Sequence, residues 1–326
     1  MTILKFPDRA QMKILFAHAA YQLGEEFLRR GLGIAFEQVR TLDALRGKIT
    51  EADVVVASGL WRNDMIGAAP RLRFIQSISA GVDNFDQTAL AARGIRLASA
   101  RGGNANAVAE HGIGLMLALA RHIHKARDRQ MLKQWRGMIS DPAAREQELS
   151  GKTLAIIGLG GIGARLARLA KAFDMRVIGV RRDTSAAVAH VDALHAPGEL
   201  PNVLAQADYV ALTCPLTRET EGLVNAAALS AMKPTACLLN LARGRVVDEA
   251  ALTAALGQGT IAAAGLDCFH DEPLPESSPL WAFENVIITP HSAGETQNAE
   301  ARIVDILCAN LECLWRGEAQ LVNQVV

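Results

Sequence analysis

A glycine-rich segment near the middle of the chain restricts the possible folds more than any other feature of the sequence. Gly158-Leu159-Gly160-Gly161-Ile162-Gly163 directly follows the apolar run Leu154–Ile157, and a helical pattern continues from Ala164 to Phe173. A GxGxxG pattern is weak evidence alone, but a strand before it and a helix after it give it meaning. The first glycine permits a tight turn, the second lets backbone approach a pyrophosphate, and the third allows close helix–sheet packing. The segment therefore predicts a dinucleotide site at Gly158, Gly160, Gly161, Ile162 and Gly163.

Short apolar runs alternate with helical patterns on both sides of this motif. Because the runs are not interrupted by polar residues, they are typical of parallel strands buried on both faces. The predicted strands are Lys13–Ala17, Ile34–Val39, Asp53–Ala57, Leu72–Ser77 and Ile95–Ala98, then Leu154–Ile157, Arg176–Val180, Tyr209–Leu212, Cys237–Asn240, Ala263–Leu266 and Val286–Ile288. The pattern predicts an α/β protein with two doubly wound domains.

The amino-acid composition and net charge limit the kinds of molecule that this chain could bind. Half of the 326 residues are apolar, which is enough for two cores, and Lys plus Arg equals Asp plus Glu at 34 each. The balanced charge predicts no nucleic-acid partner, and no apolar run approaches the roughly 20 residues that cross a membrane.

The cysteines form no CxxC pair and show no zinc spacing, so we expect no metal site. The short run after Lys13 is interpreted as a strand rather than a signal peptide, which predicts a cytoplasmic protein.

Three residues in the second half of the chain suit the reduction of a keto group. They are Arg243 in a Leu-Ala-Arg-Gly-Arg segment, Glu272 before Pro273, and His291 after Pro290. Reduction of a 2-oxo acid needs a cation for the carboxylate and a proton donor for the keto oxygen. Arginine binds a carboxylate with two parallel hydrogen bonds, and a carboxylate beside histidine favours its protonated form. Taken singly, the three could be a basic turn, a loop carboxylate and a structural histidine.

Together with the glycine motif, the segments around Arg243, Glu272 and His291 resemble those of the D-isomer-specific 2-hydroxyacid dehydrogenases. That family includes glyoxylate and hydroxypyruvate reductases and phosphoglycerate, D-lactate and formate dehydrogenases. The resemblance implies a Rossmann cofactor domain, residues 101–294, inserted in a discontinuous flavodoxin-like substrate domain, residues 1–100 and 295–326. It also implies a homodimer formed largely through a long helix, Asn106 to His124, and adjoining parts of the cofactor domain. Trp135 falls near a family tryptophan at an interdomain or partner-facing position, although a core position is equally consistent with its sequence context.

The resemblance implies roles for individual residues. Arg243 binds and polarises the substrate, His291 donates the proton, and Glu272 orients and tunes His291. Glyoxylate and hydroxypyruvate rank first, because the chain lacks the arginine that phosphoglycerate dehydrogenases usually carry after the third strand and keeps Glu272 where formate dehydrogenases have an amide. The substrate-binding residues implied are Leu60, Trp61, Ser79, Ala80 and Gly81.

Cofactor choice is expected at the end of the strand Arg176–Val180. An NAD enzyme usually has an acidic residue there, whereas this chain has Arg181-Arg182, which suits the 2′-phosphate of NADP. NADP is therefore the preferred cofactor and NAD is possible; a solvated basic turn is the alternative. Further cofactor contacts implied are Asn104, Thr213, Cys214, Pro215, Leu241, Ala242, Asp267, His291, Ala293 and Gly294.

An alternative function comes from another class of protein. Transcriptional corepressors that sense a dinucleotide and bind partner peptides have the same fold and the same three residues. The neutral net charge and the lack of a disordered interaction tail favour an enzyme.

Overall fold

The protein is described here by a computed structural model that covers residues 6–326; the first five residues of the predicted substrate domain lie outside this range. The strands are β1 Lys13–Ala17, β2 Ala35–Val39, β3 Val54–Ala57, β4 Phe74–Ser77, β5 Arg96–Ala98, β6 Thr153–Ile157, β7 Arg176–Val180, β8 Ala193–His195, β9 Tyr209–Leu212, β10 Cys237–Asn240, β11 Ala263–Leu266 and β12 Val286–Ile288. The α-helices are α1 Leu23–Leu28, α2 Leu42–Lys48, α3 Met65–Ala68, α4 Gln87–Ala92, α5 Ala105–Ala120, α6 Ile123–Met131, α7 Gly161–Lys171, α8 Leu200–Leu204, α9 Ala226–Ser230, α10 Glu249–Gly257 and α11 Ala299–Trp315. The chain divides into two compact units: the described residues up to Asn104 with Thr296–Val326, and Ala105–Glu295.

The first unit contains a parallel sheet with the strand order β2-β1-β3-β4-β5, which is the flavodoxin-like order. Successive residues of each strand enter different cores, because side chains alternate across a sheet. Leu15 lies in one core cluster and Ile14 in the other. The second cluster also contains Val304 and Leu307 of α11, three residues apart on one helix face, so the end of the chain completes this unit.

The second unit contains a seven-stranded parallel sheet with the order β12-β11-β10-β9-β6-β7-β8. Residues Leu154 and Ile156 of β6 face one core and Ala155 and Ile157 face the other, so both faces of the sheet are covered. The strand order reverses between β6 and β9, and ligands of doubly wound sheets bind at such a point, outside the carboxyl ends of the strands. The predicted fold class is confirmed.

A carboxylate joins the amino ends of two central strands in this unit. The backbone N–H of Thr153 donates to Asp208 at 2.8 Å, and Lys233 Nζ donates to the same carboxylate at 2.9 Å. Partial burial opposes ionisation, but these contacts outweigh it and lower the pKa of Asp208.

The predicted long helix, Asn106 to His124, is interrupted near its end. Helix α5 ends at Ala120, and His122 adopts a left-handed conformation with φ of 52° before α6 begins. Gly112 of α5 packs against its own unit, since a Cβ there would lie 2.6 Å from Leu241 Cδ1.

Trp135, which follows α6, is 98% exposed, so the alternative of a core position for it is wrong. Within the described residues, no helix has both the length and the apolar character to cross a membrane.

Candidate active site

The three predicted catalytic residues follow neighbouring strands of the second unit. Arg243 comes after β10, Glu272 after β11 and His291 after β12, and these strands lie side by side in the sheet. Because the strands are parallel, the three loops emerge at the same edge. The topology therefore assembles residues that are far apart in the sequence.

Glu272 and His291 form the closest pair of this group. His291 Nδ1 donates to Glu272 Oε2 at 2.7 Å, and the other carboxylate oxygen accepts from the backbone N–H of Phe269 at 3.0 Å. Contact with the Cys268 thiol and then the hydrogen bond with Glu272 raise the pKa of His291 to about 10, against the effect of burial. Burial opposes ionisation of Glu272, but the hydrogen bonds from His291 and Phe269 lower its pKa below the ordinary value. The pair is therefore an imidazolium beside a carboxylate at neutral pH, with Nε2 as the remaining ring nitrogen.

The loop that carries His291 is held by a buried carboxylate. Asp267 is 2% exposed, and its oxygens accept from the backbone N–H groups of Ser292 and Ala293 at 2.9 and 3.1 Å. The hydroxyl of Thr289 donates to the same carboxylate at 2.6 Å. These bonds fix the loop on both sides of His291, whose φ of 51° lies in the left-handed region that non-glycine residues seldom adopt. The resemblance implied that Asp267 contacts the cofactor; that contact stays a prediction, and the observed contacts of its carboxylate are with the loop.

Arg243 is positioned by its own segment. Asn240 Nδ2 donates to the carbonyl of Arg243 at 3.0 Å, and the guanidinium donates to the carbonyl of Ala242 at 2.8 Å. The next residue, Gly244, packs against the loop after β11 so closely that a Cβ there would lie 1.9 Å from the carbonyl carbon of Phe269. Only glycine allows this approach, which brings the loop of Arg243 against the loop of Glu272.

The glycine motif has the geometry of a phosphate-binding turn. Gly158 has a φ of 104°, and a Cβ there would lie 2.6 Å from the backbone nitrogen of Cys214. A Cβ on Gly163 would lie 2.2 Å from the carbonyl oxygen of Gly158, whereas the Cβ position of Gly160 has no atom within 4 Å. Gly160 is the N-cap of α7, with Gly161 and Ile162 in the first turn, so the free N–H groups of the helix face this open space. These residues fit the pyrophosphate of a dinucleotide.

The two arginines after β7 differ in their surroundings. The Arg181 guanidinium donates to the carbonyl oxygens of Asp183 and Ala186 in its own turn. The Arg182 side chain is exposed. Arg181 therefore stabilises the turn that follows β7, and Arg182 is the more accessible cation at the end of this strand.

The other predicted cofactor residues lie near the same edge of the sheet or at the start of α5. Thr213 donates its hydroxyl to the carbonyl of Gly158 at 2.6 Å, so it supports the glycine turn, and Cys214 and Pro215 continue its loop after β9. Leu241, Ala242 and Ala293 are buried, and Gly294 is half-buried. Asn104 precedes α5, and its Oδ1 is buried without a hydrogen-bond partner among the residues that the structure describes.

The predicted substrate residues belong to the first unit. Ser79, Ala80 and Gly81 are half-buried in the loop after β4, where the backbone N–H of Ser79 donates to Ser77 Oγ at 3.1 Å. Leu60 is also half-buried. Trp61 is 1% exposed and stacks on Phe85 at 5.8 Å between ring centroids; its contact with a substrate stays a prediction. Its aromatic ring fills the core of this unit.

Two residues near the catalytic pair were not predicted to contribute. Cys268 lies directly after Asp267, with its buried thiol beside the Glu272–His291 pair. His111 of α5 accepts or donates a hydrogen bond at 3.0 Å with Thr289 Oγ1. The local sequence contains no signal for either contact, because each joins segments that meet only in the folded sheet.

The chain is similar to several known proteins. A family model for the NAD binding domain of the D-isomer specific 2-hydroxyacid dehydrogenases matches residues 113–293. The chain is 38% identical over 296 residues to a glyoxylate reductase of Pyrococcus furiosus, covering 89% of this chain and 85% of the relative. It is 34% identical to a glyoxylate reductase of Korarchaeum cryptofilum, covering 99% of this chain and 95% of the relative. Among solved structures, an NADPH-dependent glyoxylate/hydroxypyruvate reductase of Sinorhizobium meliloti matches with a TM-score of 0.80 and 29% identity over 97% of both chains.

Proposed function

The chain belongs to the D-isomer specific 2-hydroxyacid dehydrogenase family, and we propose that it reduces glyoxylate or hydroxypyruvate to the D-2-hydroxy acid with NADPH as its preferred reductant. The chain is a nicotinamide-dinucleotide-dependent enzyme of the class that acts on 2-oxo and 2-hydroxy acids. One observation carries the mechanism. His291 donates through Nδ1 to Glu272 at 2.7 Å, on a loop that Asp267 holds in place.

That hydrogen bond assigns the proton to a particular atom. With Nδ1 occupied by Glu272, Nε2 is the ring nitrogen that donates to the keto oxygen of the substrate. The neighbouring carboxylate stabilises the imidazolium before transfer and orients the ring. Arg243 binds the substrate carboxylate and polarises the keto group. The bound dinucleotide supplies the hydride that reaches the keto carbon.

The experiment is turnover of a panel of 2-oxo acids with NADPH and with NADH, followed by the loss of nicotinamide absorbance. We expect Arg243→Ala and His291→Ala each to lower kcat/KM by at least about 100-fold while cofactor binding is kept. Arg245→Ala is a matched control for Arg243, because the Arg245 side chain lies two residues away, is 61% exposed and forms an ion pair with Glu221 at 3.8 Å. Wild-type turnover in Arg243→Ala or His291→Ala would contradict the mechanism. Cofactor binding without turnover of any 2-oxo acid would favour the dinucleotide sensor.

The same proposal includes a homodimer, with an interface that extends beyond the predicted long helix. Helix α6 and the residues after it expose large apolar side chains: Ile123, Met131, Leu132, Trp135 and Met138 are between 53% and 102% exposed. Exposed large apolar side chains in one segment are typical of an interaction site. We therefore assign the partner contact to α6 and the residues after it, in addition to α5. Light scattering tests this assignment, because a dimer should have twice the 34.9 kDa mass of one chain.

A further inference from the structure

A thiol lies beside the catalytic pair but neither binds substrate nor transfers a proton in the proposed reaction. Cys268 is 4% exposed, and its Sγ donates to the carbonyl oxygen of Ala242 at 3.4 Å. On its other side are the carboxylate of Glu272 and the ring of His291. The described residues thus bring one sulfur, one imidazole nitrogen and one carboxylate oxygen together at the carboxyl edge of the sheet.

The spacing of these three atoms is close to that of a metal site. The ligand atoms of Cys268, Glu272 and His291 all lie within 4.8 Å of one another. Zinc binds sulfur at about 2.3 Å and nitrogen or oxygen at about 2.0 to 2.2 Å, so tetrahedral ligand atoms lie about 3.4 to 3.6 Å apart. Side-chain adjustments of about 1 Å would therefore arrange the three atoms around one ion, with the 2.7 Å contact between His291 and Glu272 widening and any longer separations shortening.

The donor types and their exposure select the kind of ion. Thiolate and imidazole together favour Zn²⁺ over Mg²⁺ or Ca²⁺, which prefer oxygen ligands. His291 and Glu272 are 44% and 36% exposed, so an ion can reach the group from solvent, while Cys268 closes the buried side. Three protein ligands leave the fourth tetrahedral position for water.

The backbone around the group is already ordered. Phe269 N–H holds the Glu272 carboxylate at 3.0 Å, and Asp267 holds the residues that follow His291. Preorganised ligands bind metal more tightly because less conformational freedom is lost.

We propose that Cys268, Glu272 and His291 form a reversible Zn²⁺ site that switches the enzyme off. Binding releases the thiol proton and one proton of the imidazolium to solvent, and the thiolate and the neutral imidazole then each give a lone pair to the ion. His291 can no longer donate a proton, so reduction stops until a chelator removes the metal. The sequence predicted no metal site, because the three residues are spaced unlike any zinc motif. The inhibitory consequence rests on the proposed function, but the binding of zinc does not.

Binding is measured first, without substrate or cofactor, on the full chain after chelator treatment. Isothermal titration with Zn²⁺ is expected to give one ion per chain, and Cys268→Ser is expected to weaken binding by at least about tenfold. Cys308→Ser is the matched control, since Cys308 lies in the first unit on α11, and it should bind as the wild type does. Co²⁺ bound to the wild-type chain should show a thiolate-to-metal charge-transfer absorption. This measurement keeps the test decisive if Cys268→Ser does not fold.

Inhibition is measured second, with each variant compared with its own uninhibited rate. Zn²⁺ should inhibit the wild type and Cys308→Ser alike, inhibit Cys268→Ser at least about tenfold less strongly, and be reversed by EDTA. Equal zinc affinity in the wild type and Cys268→Ser, or a Co²⁺ spectrum without the thiolate absorption, would overturn the site. Zinc binding that depends on Cys268 in a protein that reduces no 2-oxo acid would leave the site standing and refute the proposed function instead.

Discussion

Alanine substitutions at the three glycines of the motif should separate folding from cofactor binding within six residues of sequence. Gly158→Ala should lower the free energy of unfolding by about 3 to 5 kcal/mol, because alanine disfavours a φ of 104° and its Cβ would lie 2.6 Å from the Cys214 backbone. Gly163→Ala should cost about 2 to 4 kcal/mol, since its Cβ would meet the Gly158 carbonyl oxygen at 2.2 Å. In a unit of this size each kcal/mol lowers Tm by roughly 2 to 4 °C, so Gly158→Ala should melt roughly 10 °C earlier.

Gly160→Ala should behave in the opposite way. Its Cβ position has no atom within 4 Å and its φ is −83°, so stability should stay within about 0.5 kcal/mol of the wild type. The added methyl group fills the space where the pyrophosphate approaches the start of α7. That overlap should cost about 1 to 3 kcal/mol of binding, which is roughly a tenfold to hundredfold increase in the Kd for NADPH.

Circular dichroism of the cofactor-free protein measures Tm, and fluorescence titration with NADPH measures Kd. Gly198→Ala is the control, because its Cβ position is equally open but lies outside the motif. A wild-type Kd in Gly160→Ala would refute the assignment of that backbone to the phosphates. A wild-type Tm in Gly158→Ala would refute the steric argument.

Three further predictions concern cofactor choice, assembly and acid stability. Arg182→Ala should raise KM for NADPH by about tenfold and leave KM for NADH nearly unchanged in steady-state assays, whereas Arg176→Ala, at the opposite end of β7, should change neither; equal effects on both cofactors would contradict a 2′-phosphate contact. Trp135→Glu should shift the mass in light scattering from a dimer to one chain of 34.9 kDa, and Trp281→Glu, at a tryptophan that is 54% exposed, should not; an unshifted mass for Trp135→Glu would place the interface elsewhere. Because the pKa of Asp208 is lowered in the folded state from 3.8, its stabilising contribution is complete above about pH 5 and is lost as pH falls through the folded pKa. The Tm difference between wild type and Asp208→Asn should therefore be full at pH 7 and narrow below about pH 4, and a constant difference would refute the linkage.

Much of the fold could be predicted because its signals are local. The run Leu154–Ile157 before Gly158 predicts a buried strand and a tight turn from adjacent residues, and the structure contains β6 and α7 there. Sequence patterns did not predict β8, whose three residues are only half-buried and carry a weak apolar signal. They also did not predict the break at His122, because an apolar pattern does not record a change of φ.

The candidate site, like the fold, could be predicted only in part from the sequence. The residue types at Arg243, Glu272 and His291 indicate their chemistry from the sequence alone, since a guanidinium, a carboxylate and an imidazole have the same donors and acceptors in any fold. Their contacts depend on which strands are neighbours, and that order is a property of the whole sheet. Trp61 shows what the sequence leaves out: its residue type suits a substrate contact, but only the structure shows that the ring stacks on Phe85 and is almost fully buried.

The sequence by itself determined where the chain turns, which runs are buried, and which side chains can bind an anion or carry a proton, because these follow from neighbouring residues. The tertiary structure decided that Asp267 holds the His291 loop, that Arg181 bends onto its own turn, and that Cys268 lies beside the catalytic pair. The physical reason is that hydrogen bonds and metal ligation act over a few ångströms of space. Parallel strands bring together residues that the sequence keeps apart.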